Sequence, residues 1–276
     1  ALVDELKALG VQSLAVSLLH AYLNPAHEKA IGAELQRLMP EVAVSLSSDV
    51  SPEIGEYERT STTVANAYVH PIFRDYVDRL VAALQQLGYT RELLLVLSDG
   101  RCIAADVAVK YPIRLVQSGP AAGAEAARLF GELAGQPDIL CFDMGGTTAK
   151  ASLIERGEYT RSQEYSVGGG IMIGSRLLTG AGYQLKTPAI DLAEVGAGGG
   201  SLIWIDAGGS IQVGPESAGA DPGPVVYDTG GTEPTVTDAN VMLGYINPGQ
   251  LVGGAVKLNK AKAEAVFAAK IAEPLG

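Results

Sequence analysis

Cysteine and histidine are scarce in this sequence of 276 residues. The two cysteines are Cys102 and Cys141, and the three histidines are His20, His27 and His70. Two cysteines cannot form the framework of a disulfide-stabilised domain, and histidines this scattered lack the spacing of metal ligands. These absences exclude a disulfide scaffold and argue against a structural zinc site.

Long apolar runs and an excess of positive charge are also missing. No run of about 18 uncharged apolar residues occurs, and the first residues lack the basic region and cleavage-like end of a signal peptide. We therefore expect no membrane span and a cytoplasmic location. Asp and Glu outnumber Lys and Arg by 31 to 20, which gives a net charge of −11. Because neutralising phosphates requires clustered Lys and Arg, we expect no nucleic-acid partner.

Apolar residues make up 47% of the sequence, enough for a substantial core in one large or two medium domains. In the first half, apolar runs alternate with helical patterns. Residues 13–19 and 42–46 are typical of buried strands, and residues 25–38 of a helix that begins at a proline. Apolar side chains recur every four positions in residues 56–87, which predicts one long helix, or two broken near Pro71. The pattern indicates an α/β protein.

The second half has a different composition, because most of the 34 glycines lie after Asp143. They form clusters such as GGG at residues 168–170 and GAGGG at residues 196–200, which predicts a turn-rich region dense in β-hairpins. We place a domain boundary near residue 137, with domains at residues 1–137 and 138–276.

Residues 141–154 read CFDMGGTTAKASLI, which predicts a strand, a tight turn and a second strand. Glycines in the turn allow backbone N–H groups to point at an anion, and the threonine hydroxyls add donors, so a phosphate fits there. Asp143 beside the turn would repel a bare phosphate, but it fits if Mg²⁺ or its water shell lies between them. The alternative is an ordinary hairpin whose polar side chains stabilise their own turn.

Other nucleotide motifs do not match. The P-loop pattern is absent, and Ser201 stands where a dinucleotide fingerprint requires glycine. The 196–200 cluster is either a loop that approaches a ligand closely or a loop that merely turns tightly. Ser118, a plausible N-cap, and Gly119 open a helix, whose N–H groups either meet an anion or only cap the helix. Asp191 and Asp238 each suit a general base or ordinary turn bonding.

Six separated motifs together resemble the hydantoinase A and 5-oxoprolinase family, within the actin, sugar kinase and heat-shock ATPase superfamily. They are EIGEYERTSTTVANAY (53–68), SGPAAGA (118–124), CFDMGGTTAKASLI (141–154), EVGAGGGS (194–201), VGPESAGADPGP (213–224) and PTVTDAN (234–240). Their number and order make the resemblance specific.

The resemblance implies ribonuclease-H-like, actin-like ATPase lobes with mixed sheets and flanking helices, the first lobe ending near residue 137 and the second beginning there. It implies ATP and Mg²⁺ as cofactors, a cyclic amide substrate, a hydantoinase B-type partner and an oligomeric full-length protein. Asp143 would then organise the metal, with Asp143, Asp191 and Asp238 as the catalytic candidates. The nucleotide-binding candidates are Gly145, Gly146, Thr147, Thr148, Lys150, Ser118, Gly119, Gly198, Gly199 and Gly200.

Two departures and one absence qualify this expectation. Lys150 stands where the superfamily turn often has Asp, and LSDGR at residues 97–101 replaces the Ser-Asn-Gly-Gly often seen in the family. No first phosphate hairpin is found in residues 1–140, so we expect the central part of a longer subunit that does not hydrolyse ATP alone. The alternatives are a nucleotide-binding assembly module, an ATP-dependent ketone carboxylase subunit and a small-molecule kinase.

Overall fold

The computed structural model describes residues 2–167, 182–249 and 257–276. The GGG cluster at residues 168–170 lies outside these ranges. Contacts divide the chain into two compact units. Unit 1 comprises Ala1–Cys141 and Ser152–Asp191, and unit 2 comprises Phe142–Ala151 and Leu192–Gly276. The sequence predicted a single boundary near residue 137, whereas in the structure the chain crosses between the units three times.

The structure is a mixed α/β arrangement, as expected for the fold class. The helices are α1 (Leu2–Ala8), α2 (Ala26–Leu38), α3 (Ser47–Val50), α4 (Glu56–Gln86), α5 (Ala105–Ala108), α6 (Ser118–Ala134), α7 (Val236–Met242), α8 (Lys260–Phe267) and α9 (Glu273–Leu275). A π-helical segment, Ala268–Ala272, connects α8 to α9. In the described part of the chain, no helix is both long and apolar enough to span a membrane.

The strands form small sheets. They are β1 (Ser13–Val16), β2 (Ala43–Leu46), β3 (Leu94–Val96), β4 (Cys102–Ala104), β5 (Ile139–Met144), β6 (Ala149–Glu155), β7 (Glu158–Tyr159), β8 (Arg161–Val167), β9 (Tyr183–Ile190), β10 (Ala193–Val195), β11 (Ser201–Ile205) and β12 (Ile211–Ser217). β1 and β2 pair in parallel, with Leu14 opposite Val44. The pairs β3–β4, β8–β9 and β11–β12 are antiparallel, and β6 lies between β5 and β10.

The start of unit 1 is a strand, helix, strand arrangement. α2 begins one residue later than the sequence predicts, because Pro25 occupies the N-cap position, where no side chain caps the helix. The Asn24 Oδ1 atom accepts a hydrogen bond from the Ala26 N–H at 3.1 Å. The apolar face of α2 and the segment that follows it pack into a core around Leu35, Met39 and Val42. This core holds the parallel pair of strands against the helix.

The long helix α4 runs unbroken through Pro71. Its apolar side chains at four-residue spacing do not form the buried face, because Tyr68 is 77% and Ile72 is 73% exposed. Four of the six buried residues of α4 are polar instead. The Thr62 hydroxyl accepts a hydrogen bond from the Lys186 N–H at 2.9 Å, and Asn66 Oδ1 accepts one from the Ile113 N–H at 3.2 Å. Helix α4 therefore packs through hydrogen bonds on the side that faces β9.

Two charged side chains, Glu28 and Arg59, are buried in unit 1 and are joined through Ser47. The Ser47 hydroxyl donates to Glu28 Oε1 at 2.7 Å and accepts from Arg59 Nε at 3.2 Å. Burial disfavours the ionised form of Glu28, but hydrogen bonds from Ser47, Ser48 and Leu18 outweigh it, so its pKa is lowered. Hydrogen bonds to both side chains thus offset their loss of solvent.

Unit 2 has its own apolar core. Val226, Val241, Leu258 and Ala263 pack together and connect α7 to α8. An isolated antiparallel bridge joins Leu202 of β11 to Thr235, the residue before α7. The core and this bridge fix α7 beside the β11–β12 hairpin.

Candidate functional site

The predicted hairpin is present, and its tip is residues 145–148, between β5 and β6. The Gly145 N–H donates to the Thr148 carbonyl oxygen at 2.9 Å, which closes a turn around Gly146 and Thr147. Both of these turn residues are exposed. Within the described ranges, the N–H groups of Gly146, Thr147 and Thr148 donate to no acceptor in the chain. The hairpin tip therefore presents unpaired backbone donors to solvent.

A second segment, residues 196–200, packs against the carbonyl side of the hairpin tip. This supporting loop donates its own N–H groups to the tip: Gly199 N–H to the Gly145 oxygen at 2.9 Å, and Gly200 N–H to the Gly146 oxygen at 2.6 Å. The Gly198 N–H donates to Ser201 Oγ at 2.8 Å. These three glycines were predicted to contact a ligand directly, but their N–H groups already have partners. Their role is to hold the carbonyl side of the tip.

Glycine is required at position 198 of the supporting loop because the backbone of the loop packs directly against the backbone of the hairpin tip. A Cβ atom at Gly198 would lie 2.6 Å from Thr147 C, 2.6 Å from Thr148 N and 2.7 Å from Gly146 C. By contrast, a Cβ atom at Gly146, at the tip, or at Gly196, at the start of the loop, would meet nothing within 4 Å. Gly146 thus leaves open space at the tip. At position 198 the backbone of the tip lies so close that only a residue without a Cβ atom fits.

The first turn of α7 anchors the supporting loop, since the Thr237 N–H donates to the Gly199 oxygen at 2.7 Å. Thr235 and Asp238 form a capping box at this helix end. Asp238 is 0% exposed, and its two carboxylate oxygens accept from the N–H groups of Val226 at 2.7 Å and Thr235 at 2.8 Å. The predicted role of Asp238 as a general base is not supported by these contacts, which belong to a structural cap.

Charged side chains near the tip differ in their surroundings. Lys150, predicted to contact the nucleotide, faces Glu194 across the β6–β10 pair, with Nζ 3.4 Å from Oε1. Asp143 is the second-last residue of β5, is exposed and makes no ion pair with any residue that the structure describes. Lys150 is therefore engaged within the sheet, while Asp143 remains available to a ligand.

No group of three or more His, Cys, Asp or Glu side chains suited to a metal ion occurs in residues 2–167, 182–249 and 257–276. Mg²⁺, however, usually takes only one or two protein carboxylates and completes its shell with water and substrate phosphates. A single exposed carboxylate, Asp143, next to unpaired amides fits that mode of binding. These residues do not fit a metal site whose ligands all come from the protein.

The remaining predicted residues lie in unit 1. Ser118 was predicted as an N-cap, but it is the first residue of α6; Gln117 precedes it and provides no side-chain cap. Gly119 is exposed, and a Cβ atom there would meet nothing within 4 Å. Asp191 follows β9, is exposed and donates its N–H to the Thr160 oxygen at 2.8 Å. Within unit 2, the structure brings that unit's own candidates together around the hairpin tip.

Sequence reasoning missed the residues that hold the supporting loop in place. Ser201 is 0% exposed and binds the Gly198 N–H, and Thr237 binds the Gly199 oxygen. Both residues occur inside the quoted motifs EVGAGGGS and PTVTDAN, so the motifs marked the correct segments. A sequence pattern cannot show that these two segments meet.

Comparison with known proteins gives the chain a family. The model of the family described as Hydantoinase/oxoprolinase matches residues 59–276, more than half of the chain. An uncharacterized protein of Methanocaldococcus jannaschii is 43% identical over 98% of the chain and 39% of its own length. The alpha subunit of caprolactamase from Pseudomonas jessenii is 38% identical over 100% of the chain and 38% of its own length.

Solved structures agree with this assignment. An acetone carboxylase determined without nucleotide, in a study of ATP-dependent acetone carboxylation, aligns over 99% of the chain with a TM-score of 0.75 and 30% identity. The ATP-dependent caprolactamase of Pseudomonas jessenii aligns over 99% with a TM-score of 0.71 and 37% identity. The chain spans less than two fifths of the length of these relatives.

Proposed function

This chain belongs to the hydantoinase/oxoprolinase family, and on that premise we propose that its hairpin tip binds a phosphate group of ATP. The observation that carries the proposal is the run of unpaired N–H groups at Gly146, Thr147 and Thr148. Consecutive backbone donors in a glycine turn form a concave site that suits a phosphate oxygen. The ATP dependence of the caprolactamase and the acetone carboxylation named above supports the choice of ligand.

The rest of unit 2 keeps this site in a fixed shape. Bonds from Gly199 and Gly200 occupy the carbonyl oxygens of Gly145 and Gly146, so those carbonyls do not turn toward the ligand. The N–H groups on the opposite side of the turn then need little rearrangement when phosphate binds. Such preorganised donors are the main means by which a protein stabilises charge during phosphoryl transfer.

We assign Asp143 to the orientation of Mg²⁺ bound with the nucleotide. When bound, Mg²⁺ neutralises charge on the phosphate oxygens. Asp143 lies near the end of β5, exposed and beside the tip, so its carboxylate would hold the metal ion or one of its bound waters. Lys150 is left out of this proposal because Glu194 occupies it.

The reaction that we propose for the whole protein is ATP-dependent opening of a cyclic amide. Nitrogen donation makes an amide carbonyl a poor electrophile, and phosphorylation of the amide oxygen removes that donation. Water then adds to the carbon, and the C–N bond breaks as the ring nitrogen takes up a proton and leaves as an amine. A second water hydrolyses the resulting acyl phosphate, which releases phosphate and the carboxylate of the opened ring. For the general base we retain Asp191, which is exposed and whose carboxylate makes no hydrogen bond within the described residues.

We propose that the two units belong to an actin-like ATPase fold and that a hydantoinase B-type subunit completes the enzyme. The likeness of the chain to named subunits of larger enzymes, such as the caprolactamase alpha subunit, supports a multisubunit assembly. The mixed α/β architecture and the hairpin between two strands support the fold.

ATP-dependent carboxylation of a ketone is the second candidate function. The observation that favours it is the alignment with the acetone carboxylase structure at a TM-score of 0.75. Analysis of products separates the two. Ring opening consumes a lactam and yields an amino acid, whereas carboxylation consumes a ketone and bicarbonate and yields a keto acid.

Calorimetric titration of Mg-ADP into the chain tests the phosphate site. We expect binding to weaken about tenfold in Gly146→Ala, because the new methyl group enters the space of the ligand. The matched control is Gly196→Ala, which also adds a methyl group to open space but away from the tip. If wild type and Gly146→Ala bound Mg-ADP with equal affinity, the tip would not be part of the nucleotide site.

A further inference from the structure

Unit 1 contains a cavity of about 260 Å³ that the proposed function does not use. Every residue that lines it belongs to unit 1. The three cationic lining residues are Arg101, Arg114 and Lys186, and the two acidic ones are Asp99 and Glu53. Ligand pockets in proteins measure roughly 300–1,000 Å³, so a cavity of this size suits a small molecule.

Two of the three cations already have partners. Arg101 Nε donates to Asp99 Oδ2 at 2.7 Å. Lys186 Nζ donates to the Ile54 carbonyl oxygen at 2.7 Å and lies 3.8 Å from Glu53 Oε2. The positive charges of Arg101 and Lys186 are thus compensated by groups of the chain itself.

Arg114 is different. Its guanidinium carbon lies 5.1 Å from the centroid of the Tyr111 ring, which fixes its position. Its backbone oxygen accepts a hydrogen bond from the Ser98 N–H at 2.8 Å, which ties it to the loop that carries Asp99. Arg114 forms no ion pair with any residue in the described part of the chain. It is a positioned, half-buried cation without an anionic partner there.

The other lining residues define the rest of the ligand. Val50, Leu97 and Pro188 contribute aliphatic surface. Thr187, which also lines the cavity, is 2% exposed, and its hydroxyl has no hydrogen-bond partner among the described residues.

We propose that this cavity binds a small aliphatic carboxylate. The carboxylate meets the guanidinium of Arg114, whose planar set of donors matches two carboxylate oxygens. The short carbon chain packs against Val50, Leu97 and Pro188. The inference rests on unit 1 alone and is independent of nucleotide binding at the hairpin tip.

Titration of butyrate into the chain, followed through backbone amide chemical shifts, tests the site. We expect saturable shifts at millimolar concentration that are confined to residues 50–53, 97–101, 114 and 186–188. Butyramide has the same shape without the charge, and we expect it to bind about tenfold more weakly, as for loss of a charge-assisted hydrogen bond. This comparison needs no variant, so it stands even if a substitution unfolds the chain.

The variant Arg114→Gln should weaken butyrate binding by a similar factor, about tenfold. Arg79→Gln is the matched control, because Arg79 lies on α4 and, among the residues described, its side chain donates to the Asp75 backbone oxygen alone. Gly146→Ala should leave butyrate binding unchanged, which separates this site from the phosphate site. No shifts with butyrate, equal binding of butyramide, or unchanged binding in Arg114→Gln would each overturn the proposal.

The carboxylate has two possible sources, an unrelated acid or the product of amide opening. 4-Aminobutyrate, which opening of a five-membered lactam would release, distinguishes them. Tighter binding of 4-aminobutyrate than of butyrate identifies a product site, and this arm alone rests on the proposed function. Equal or weaker binding identifies a site for a simple organic acid.

Discussion

The two proposed anion sites, the hairpin tip of unit 2 and the Arg114 cavity of unit 1, offer different kinds of donor. The tip offers backbone N–H groups and is shaped by glycines whose missing side chains either leave space or permit close contact. The cavity offers charged side chains that are arranged by ion pairs and by stacking on Tyr111. A backbone site should be sensitive to added volume, whereas a side-chain site should be sensitive to removed charge and to pH.

The largest effect is expected at Asp238, the buried charge that supports the backbone site. In Asp238→Asn, one carboxylate oxygen becomes an NH₂ group, which cannot accept a hydrogen bond. If it replaces Oδ2, the N–H groups of Val225 and Thr235 lose their acceptor; if it replaces Oδ1, the N–H group of Val226 does. Buried donors without partners cost about 1–3 kcal/mol each, so we expect a loss of about 3 kcal/mol in the free energy of unfolding. Urea denaturation and amide exchange at these three residues measure it.

Asp221→Asn is the control for this prediction, since Asp221 is exposed in the same unit. We expect its unfolding free energy to stay within about 0.5 kcal/mol of wild type. If Asp238→Asn stayed stable and, introduced into the whole protein, abolished substrate turnover, the predicted role of Asp238 as a general base would be restored.

The second effect concerns Gly198, where added volume should act most strongly. The methyl group of Gly198→Ala would lie within 2.7 Å of three backbone atoms of the tip. We expect the tip to move, binding of Mg-ADP to be lost, and the unfolding free energy to fall by about 1–3 kcal/mol, as in other overpacked sites. Calorimetry and urea denaturation measure the two quantities.

Gly196→Ala adds the same methyl group two residues earlier, where nothing lies within 4 Å. It should resemble wild type in both measurements. If Gly198→Ala bound Mg-ADP normally, the tip would not depend on the supporting loop, and the contrast between the two sites would fail.

Local features of this fold could be predicted from the sequence because their causes lie within a few residues. Asn24 and the following proline predicted the start of α2 to within one residue, and two glycines between apolar runs predicted the tip at residues 145–148. The family motifs marked the supporting loop and the first turn of α7. In each case the residues that predict the feature are the same short segment that forms it.

Features that depend on distant partners could not be predicted in this way. Thr62 lies on the buried face of α4 because its hydroxyl bonds the Lys186 N–H, 124 residues away. The N–H groups of Gly199 and Gly200 appeared free for a ligand, but carbonyl oxygens some fifty residues earlier accept from them. A sequence shows which hydrogen bonds a polar side chain can make, but not which distant group it meets. The sequence was therefore compatible with Asp238 as a general base and with Asp238 as a helix cap.

A smaller effect is expected from pH at the side-chain site. Burial disfavours ionised Asp99, but hydrogen bonds from the Arg101 side chain and N–H, with the charges of Arg101 and Arg161, outweigh it and lower its pKa. A lowered folded-state pKa adds stability that is present above the unfolded value, near 3.8, and is lost as pH falls through the folded value. Because Arg101 is largely exposed, we expect less than about 1 kcal/mol.

Arg101→Gln measures this contribution. Its unfolding free energy should be lower than that of wild type at pH 6, and the difference should shrink as the pH falls below 4, the region of the unfolded-state pKa of Asp, about 3.9. Nucleotide binding at the tip should not change. A difference that stayed constant down to acidic pH would show that Arg101 acts through packing and not through the charge of Asp99.

The smallest effect is expected at Lys150, the cationic side chain that the sequence placed beside the phosphate. Its ammonium group lies 3.4 Å from Glu194, with both side chains mostly buried. If backbone donors bind the phosphate, Lys150→Gln should weaken Mg-ADP binding by less than about threefold, a free-energy change below about 0.7 kcal/mol. The loss of the cross-strand pair should cost roughly 0.2–1 kcal/mol of stability.

Glu194→Gln distinguishes the two possible roles of Lys150. It removes the partner of Lys150, so it should cost a similar amount of stability and leave Mg-ADP affinity within the same threefold range if Lys150 serves only the sheet. If Lys150 contacts phosphate, Lys150→Gln should weaken Mg-ADP binding at least about tenfold. Release of Lys150 in Glu194→Gln should then tighten binding. That pair of results would make the tip a side-chain site as well, and the distinction from the Arg114 cavity would disappear.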